Sequence, residues 1–560
     1  MSRLTWALCA VTIILVVLSI VRAARGQPWP RPARIVAVVA VILAIADVAV
    51  NEVQFLLVPV YLAVALLAVR LWVWGRGHGL WRYRWLGVAS GLVFLLLVLA
   101  DTALVRMMAS LGDANELFVT RRESPDLRGK GWEAGFREAN AFLAEDYAFG
   151  KWRRVNFDSL VNVYAPRVAA AEQRKDWRAY YQAVREYLWS IPDSHVEIGS
   201  DSTDVRQQHI EGGYGFALAR LDDGRVVASV LLDASPAALA GMGWGAEIVR
   251  WNGAPVDSAV DRASVLWNGS PPSTREGLAL ARLRWMARDT IGARLTLSFR
   301  NQGDTTVHMK QLVAVRDSMR AILRSEGMPV RFLTDAPVDW KVLPSGTGYL
   351  RIRYEFVSLK VPFPELVVRS AVMEFNKRGV PGVIVDVRGN PGGADRLVAL
   401  LMGYFYDRPH FYESATYFNP ATRRFEVDPR SRLTITPRSV TFLGPVVALV
   451  DDRCGSSCEG IAMAIRQRPR SAVVGFAATE GAFGMSGASI ALPGGVSIEY
   501  PNGQSVDSAG VVQIDSDWRM MGGVAPTVRL AVTLERLHQR YVDGRDVVLE
   551  EGERALRRIH

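Results

Sequence analysis

Four apolar runs crowd the first 105 residues: Leu4–Val21, Ile35–Val50, Val53–Val69 and Trp85–Val105. Each approaches the roughly 20 residues an α-helix needs to cross about 30 Å of hydrocarbon, the second being short. Residues 1–110 therefore read as a four-span transmembrane region. Asp47 and Asp101 interrupt two of the runs. An intramembrane carboxylate is a functional candidate by default, but both lie near a run's end, where a solvated or paired carboxyl is ordinary.

Arginine placement orients the spans. The first connection carries Arg22, Arg25, Arg31 and Arg34, and the third carries Arg70, Arg76, Arg82 and Arg84. The second is only Asn51-Glu52. The first and third connections are then cytoplasmic. The N-terminus and everything after residue 107 lie outside, in a periplasmic or extracellular setting on a multi-pass membrane protein. Reading the first run as a cleaved signal peptide would leave three spans and set both Arg-rich connections against the charge rule. The net charge of +10 adds little, because many arginines flank the spans. No basic run or zinc spacing points to nucleic acid, and no cofactor or metal is expected.

The extracytoplasmic part divides by pattern. Residues 111–208 read as helical; in "WRAYYQAVREYLWSI" apolar side chains recur at Tyr181, Val184, Leu188 and Ile191, a helical stripe. Pro192 ends it, and Ser194-His195 follow. Residues 209–316 change character: "GGYGFAL" is a Gly-rich turn entering a strand, and "SPAALAGMGWGAEIVRWNGAPV" carries a helical turn, a strand and an Asn252-Gly253 hairpin turn. Residues 317–545 read as α/β. "GVIVDVRGNPGG" is a buried strand ending in a Gly/Pro loop, "GPVVALVDD" is another, and "DDRCGSSCEG" joins that second strand to a helix. Residues 546–560 are left as a C-terminal tail. A turn between strand and helix lifts a side chain to the sheet edge and aims helix N–H groups at it.

With these motifs in this order, residues from about 130 to 545 resemble the S41 serine peptidases, the C-terminal-processing (tail-specific) and tricorn group, and residues 209–316 resemble a PDZ domain. The resemblance implies an α/β protease core (a crotonase/ClpP-like ββα superhelix) with an N-terminal helical segment, a PDZ domain and the four-helix transmembrane region. It implies endopeptidase action on protein or peptide substrates with free C-termini. Gly213, Tyr214, Gly215 and Phe216 would receive the peptide's carboxylate on backbone N–H groups.

The family's Ser-x-x-Glu register falls on Ser456-Ser457-Cys458-Glu459, which implies Ser456 as nucleophile. The N–H groups of Gly392 and Ser457 would form the oxyanion hole. A serine hydroxyl needs a base. Processing proteases use a lysine roughly 25 residues later, near Gly481 here, and no lysine follows Ser456. The tricorn branch uses a histidine preceded by serine, which matches His195 and Ser194. That branch also uses a Glu shortly before a Gly-Val-x-Pro turn. The turn is present at Gly523–Pro526, but the expected register falls near Met520. Asp515 and Asp517 lie close by, with Asp515 favoured as the acid.

Two cysteines alone cannot complete a zinc site, and a thiol oxidoreductase lacks its C-x-x-C. Cys454 and Cys458 are either disulfide-bonded or buried free thiols. The competing function, from a different class, is a catalytically inactive PDZ/peptidase-like protein that binds peptides.

Overall fold

The computed structural model describes residues 123–559 apart from 200–202, 328, 333 and 359. The four apolar runs, and the spans and orientation expected of them, lie outside the described residues. Among those described, no helix is long and apolar enough to cross a membrane.

Three helices come first: α1 (Trp132–Asp146), α2 (Phe157–Arg174) and α3 (Trp177–Trp189). Asn156 and Asp176 cap the second and third, each accepting an N–H of the first turn on its side chain. Tyr181, Val184, Leu188 and Ile191 are all buried, so the 3.6-residue stripe is the packing face. The helix ends ahead of Pro192, and the chain turns through Asp193–His195 into β1 (Glu197–Gly199).

A second unit is a sheet of β2 (Phe216–Arg220), β3 (Val226–Leu231), β4 (Glu247–Trp251), β5 (Arg294–Arg300) and β6 (His308–Val313), hydrogen-bonded in that order. Helix α4 (Arg275–Met286) packs against β2, an edge strand. The Asn252-Gly253 pair has φ of 46° and 80°, positive at both positions as a type I′ turn requires, and residues 254–255 pair back onto β4.

The core comprises β7 (Val338–Val342), β8 (Gly348–Ile352), α5 (Pro364–Arg378), β9 (Val383–Asp386), α6 (Asp395–Met402), β10 (Val446–Leu449), α7 (Ser457–Arg466), β11 (Ser471–Gly475), β12 (Ala488–Leu492), β13 (Val496–Tyr500) and β14 (Val528–Arg529). Its main sheet runs β7-β8-β9-β10-β11-β14, with every pair parallel except β7 and β8. Buried on both faces, β9 and β10 read as continuous Val/Ile/Leu runs. The two-residue period sorts them: Val383, Val385, Val446 and Ala448 join the cluster beneath α5, α6 and α7, while Ile384, Val447 and Leu449 face the opposite side. That side is closed by α9 (Val547–Arg558), while α8 (Leu534–Tyr541) packs on β3 with Leu537 against Val227. Within residues 546–560, expected as a tail, Val547–Arg558 thus form a packed helix. Val547, Val548, Ala555 and Leu556 are buried, a stripe that the surrounding Glu and Arg masked in the sequence.

Two consequences position the site. Asp386 pairs with Leu449, so the loops after β9 and β10 leave the sheet side by side. Strand β1 pairs with β13, which brings the Asp193–His195 turn onto the core.

Candidate active site

The loop after β10 delivers Ser456 to the head of α7. Ser456 holds φ 53° and ψ −135°, a conformation a β-substituted residue adopts only when its surroundings enforce it. Three constraints do so. Its N–H donates to Ala482 O at 2.9 Å, the Gly455 N–H donates to Asn390 O at 3.1 Å, and Cys454 is disulfide-bonded to Cys458 across a Cα–Cα distance of 5.5 Å. The strand-to-helix turn leaves Ser456 half-buried while its neighbours are buried. Ser457 is enclosed, its hydroxyl donating to Gly393 O at 2.6 Å.

The loop after β9 closes on the same turn. Gly392 has φ 101°, and a Cβ there would lie 2.5 Å from Ser456 Cβ, so only glycine lets this backbone meet the serine. The Gly392 N–H donates to Asn390 Oδ1 at 2.8 Å. Asn390 Nδ2 in turn donates to Glu355 Oε1 at 2.6 Å. In this structure the expected oxyanion donor is therefore capped by a side chain. Glu355 is fully buried, and burial pushes its carboxyl up to about 8.

Glu459, the motif's acid, is also fully buried. It accepts Thr479 Oγ1 at 2.5 Å and the N–H groups of Gly481 and Ala482 at 2.8 Å each. It shapes the 479–482 segment that holds the Ser456 N–H.

That segment carries Glu480, which no sequence motif singles out. A Cβ on Gly455 would lie 2.0 Å from Glu480 Oε2, so the carboxylate rests against the nucleophile turn. It also accepts a hydrogen bond from the Ser194 hydroxyl, and desolvation raises it to about 7 despite that bond. Ser194 is held further by Ser273: its N–H donates to Ser273 Oγ at 2.8 Å, and Ser273 Oγ donates to Ser194 Oγ at 3.2 Å. His195 follows. Its backbone N–H donates to Asp193 Oδ1 at 3.0 Å, and its Nδ1 is buried with no hydrogen bond among the described residues. Burial lowers the imidazole's pKa below 6.5; Asp193 opposes that shift and Arg153 adds to it.

The structure thus brings Ser456, Ser457 and Gly392 together, and links Ser194-His195 to them through Glu480. Asp515 is enclosed differently. Its Oδ1 accepts the Phe483 N–H at 3.0 Å and lies 3.5 Å from Arg153. Burial raises it to about 8 against Arg153's attraction. Asp517 sits on a surface turn, its carboxylate taken by Arg519 and the Met521 N–H. No group of three or more His, Cys, Asp or Glu among the described residues is placed to hold a metal ion.

Glu355, Glu480 and Asp515 share a consequence for stability. All three bind a proton in the folded chain at pH values where the unfolded chain has released it, so stability falls as pH rises from about 4.5 to 8. Each contributes on the order of a few kcal/mol. Thermal melts should give a higher Tm at pH 5.5 than at pH 8, with Glu355→Gln flattening part of the slope. A Tm rising across that window would contradict these environments.

Residues 213–216 are packed into the second unit. Gly213 belongs to a two-residue strand paired on both sides, with 288–289 and 315–316. Tyr214 donates to Asp289 Oδ2 at 3.0 Å, and Gly215 (φ 89°) presses against Ser235. A cavity of about 620 Å³ opens farther along β2, between it, α4 and the core, lined by Leu218, Leu280, Asp451 and Arg453 among others but by none of residues 213–216. Helix α4 ties this cavity to the site: Glu276 accepts the Ala478 N–H at 2.9 Å and Arg284 donates to Asp452 at 2.9 Å.

The family model of Peptidase family S41 matches residues 347–530. Those residues are an S41 peptidase domain. The segment contains β9, the Gly392 loop, Ser456, Glu480 and Asp515; His195 and Ser194 precede it. A curated relative, the carboxy-terminal processing protease CtpA of Bacillus subtilis (strain 168), is 26% identical over 162 residues. That alignment spans 29% of this chain and 31% of CtpA. Mature CPAF superposes with a TM-score of 0.54 at 15% identity, covering 76% of this chain and 98% of CPAF. CPAF complexed with lactacystin gives 0.53 over 76% and 99%. At that identity the likeness is one of fold. It covers a larger share of the chain than the residues the family model matches.

Proposed function

We propose that this chain is a membrane-anchored serine endopeptidase of the histidine-dependent S41 branch, acting outside the cytoplasm on proteins or peptides with free C-termini. The observation that carries the reading is Ser456, strained at the head of α7 with the Gly392 backbone against it. In this mechanism His195 takes the Ser456 proton as the hydroxyl attacks the scissile carbonyl. The oxyanion is received by the N–H groups of Gly392 and Ser457. The imidazolium then protonates the leaving amine, and water resolves the acyl-enzyme by the same route. Glu480, through Ser194, is the acid member of the unit. Its contact with Ser194 favours it over Asp515, which faces Arg153 and Phe483, and over Asp517, which faces Arg519.

The sheet of β2–β6 is proposed to act as a PDZ, with the cavity between β2 and α4 taking a substrate tail. The topology, with residues beyond 107 outside, is tested by reporter fusions after residue 130. Activity of a cytoplasm-only reporter there would refute it.

One observation favours the second reading, a non-catalytic peptide binder: the Gly392 N–H is spent on Asn390. A catalytic cycle requires that bond to yield to the substrate oxygen, and glycine's freedom at φ 101° permits the peptide to turn. Purified full-length chain should hydrolyse peptides with a free C-terminus. Binding of such peptides without hydrolysis across a broad panel would replace the peptidase reading with the binder.

A further inference from the structure

Arg153 lies in the connection between α1 and α2, outside every motif discussed above, and its side chain is fully enclosed. Its guanidinium donates to Pro192 O and to Ser516 Oγ. It lies 3.4 Å from Asp193 Oδ2 and 3.5 Å from Asp515 Oδ1, and reaches Gly481 O at 3.5 Å. Phe149 covers it, with its ring centroid 5.4 Å away. The partners belong to three segments far apart in sequence. One is the turn leading into Ser194-His195, one adjoins Glu480, and one is the 515–516 loop. Asp193 completes the arrangement, since it accepts Tyr147 Oη at 2.7 Å and the His195 N–H at 3.0 Å.

We propose that Arg153 is a positioning residue for His195, clamping the histidine's turn against the segments that carry Glu480 and Asp515. The proposal rests on the reading of His195 as the base. Arginine suits the task because its planar fork can serve several acceptors from one buried position. Its charge has a further effect on the base. Asp193, Asp515, Tyr147 and Glu459 surround the guanidinium, and Glu480 accepts the hydroxyl of Ser194, the neighbour of His195 in the chain. With Asp515 raised to about 8, Arg153 faces one ionised neighbour fewer at neutral pH. It therefore helps burial keep the imidazole unprotonated. Loss of the guanidinium removes a repulsion against imidazolium and leaves Asp193's attraction unopposed, so His195 should hold its proton to higher pH.

The test uses the full-length chain and a fluorophosphonate probe, with the second-order labelling rate at Ser456 followed from pH 4.5 to 9. With His195 below 6.5 and Glu480 at about 7, the wild-type rate should rise in two steps. In Arg153→Met the lower step should move up by about one pH unit or more, merging with the upper, and the plateau should fall at least about 10-fold. In Arg153→Lys the plateau should fall while the step stays within a few tenths of a unit, since charge is kept and the fork is lost. Arg468→Met, which removes a buried arginine from elsewhere in the core, should leave both steps in place. Should Arg153→Met not fold, Asp193→Asn carries the test, with the lower step moving to lower pH. Labelled variants whose steps coincide with the wild type, or an equal shift in Arg468→Met, would overturn the proposal alone. Absence of labelling in the wild type would overturn the peptidase reading along with it.

Discussion

Ser456→Ala abolishes peptide hydrolysis, with turnover expected to fall by several orders of magnitude, while the fold is retained. A unit of nucleophile, base and orienting groups fails when its nucleophile is removed, and what remains is catalysis by binding and the oxyanion donors. The turn itself should survive, because the disulfide, the Asn390 carbonyl and the Ala482 carbonyl hold it without using the Ser456 hydroxyl. Ser457→Ala is the matched control. It loses only the bond from Ser457 Oγ to Gly393 O and keeps the backbone N–H, so activity should drop by about 10-fold or less. Steady-state turnover with circular dichroism of each variant checks both. Equal losses in the two variants would place the nucleophile elsewhere.

The second large effect belongs to the base and its support. His195→Ala should cost several orders of magnitude in kcat, because on this reading it is the base the Ser456 hydroxyl depends on, and no lysine follows Ser456 in the chain. Glu480→Gln should cost less, on the order of 10²-fold, and should erase the upper of the two rises in the pH profile. A glutamine still accepts the Ser194 hydroxyl but carries no charge to stabilise imidazolium. Asp515→Asn should retain more activity than Glu480→Gln, and Asp517→Asn should behave as wild type. The sign is fixed by the chemistry: both rises report loss of a proton from a group that works deprotonated, so activity grows with pH through each. An Asp515→Asn variant weaker than Glu480→Gln would return the acid's role to Asp515.

Much of this was readable from the sequence because it is local. The runs that become β9, β10 and α7 are continuous in the chain, and the turn between β10 and α7 is fixed by a short stretch of residues. Glu480 escaped for a physical reason. Its contact with Ser194 joins positions 286 residues apart, and the Gly-Val-x-Pro register points instead to residues just ahead of Gly523. The signal was present as the sole carboxylate between β11 and β12, 24 residues after Ser456, beside Gly481, where the resemblance to processing proteases implies a lysine. Arg153 and Ser273 were equally hidden, since each acts across elements distant in the chain. The Asn390 bond to the Gly392 N–H depends on one side-chain rotamer, which no spacing encodes. The cysteines stood open between two states until the first turn of α7 set their Cα atoms 5.5 Å apart.

The central claim is that Ser456 is a base-activated nucleophile, and one measurement bears on it most directly. Full-length chain is treated with a fluorophosphonate at pH 8, digested, and the phosphonylated residue is located by tandem mass spectrometry, with His195→Ala treated in parallel. The account predicts a single adduct on Ser456 that fails to form in His195→Ala. An adduct on Ser457, or one on Ser456 that forms at the wild-type rate without His195, would contradict it.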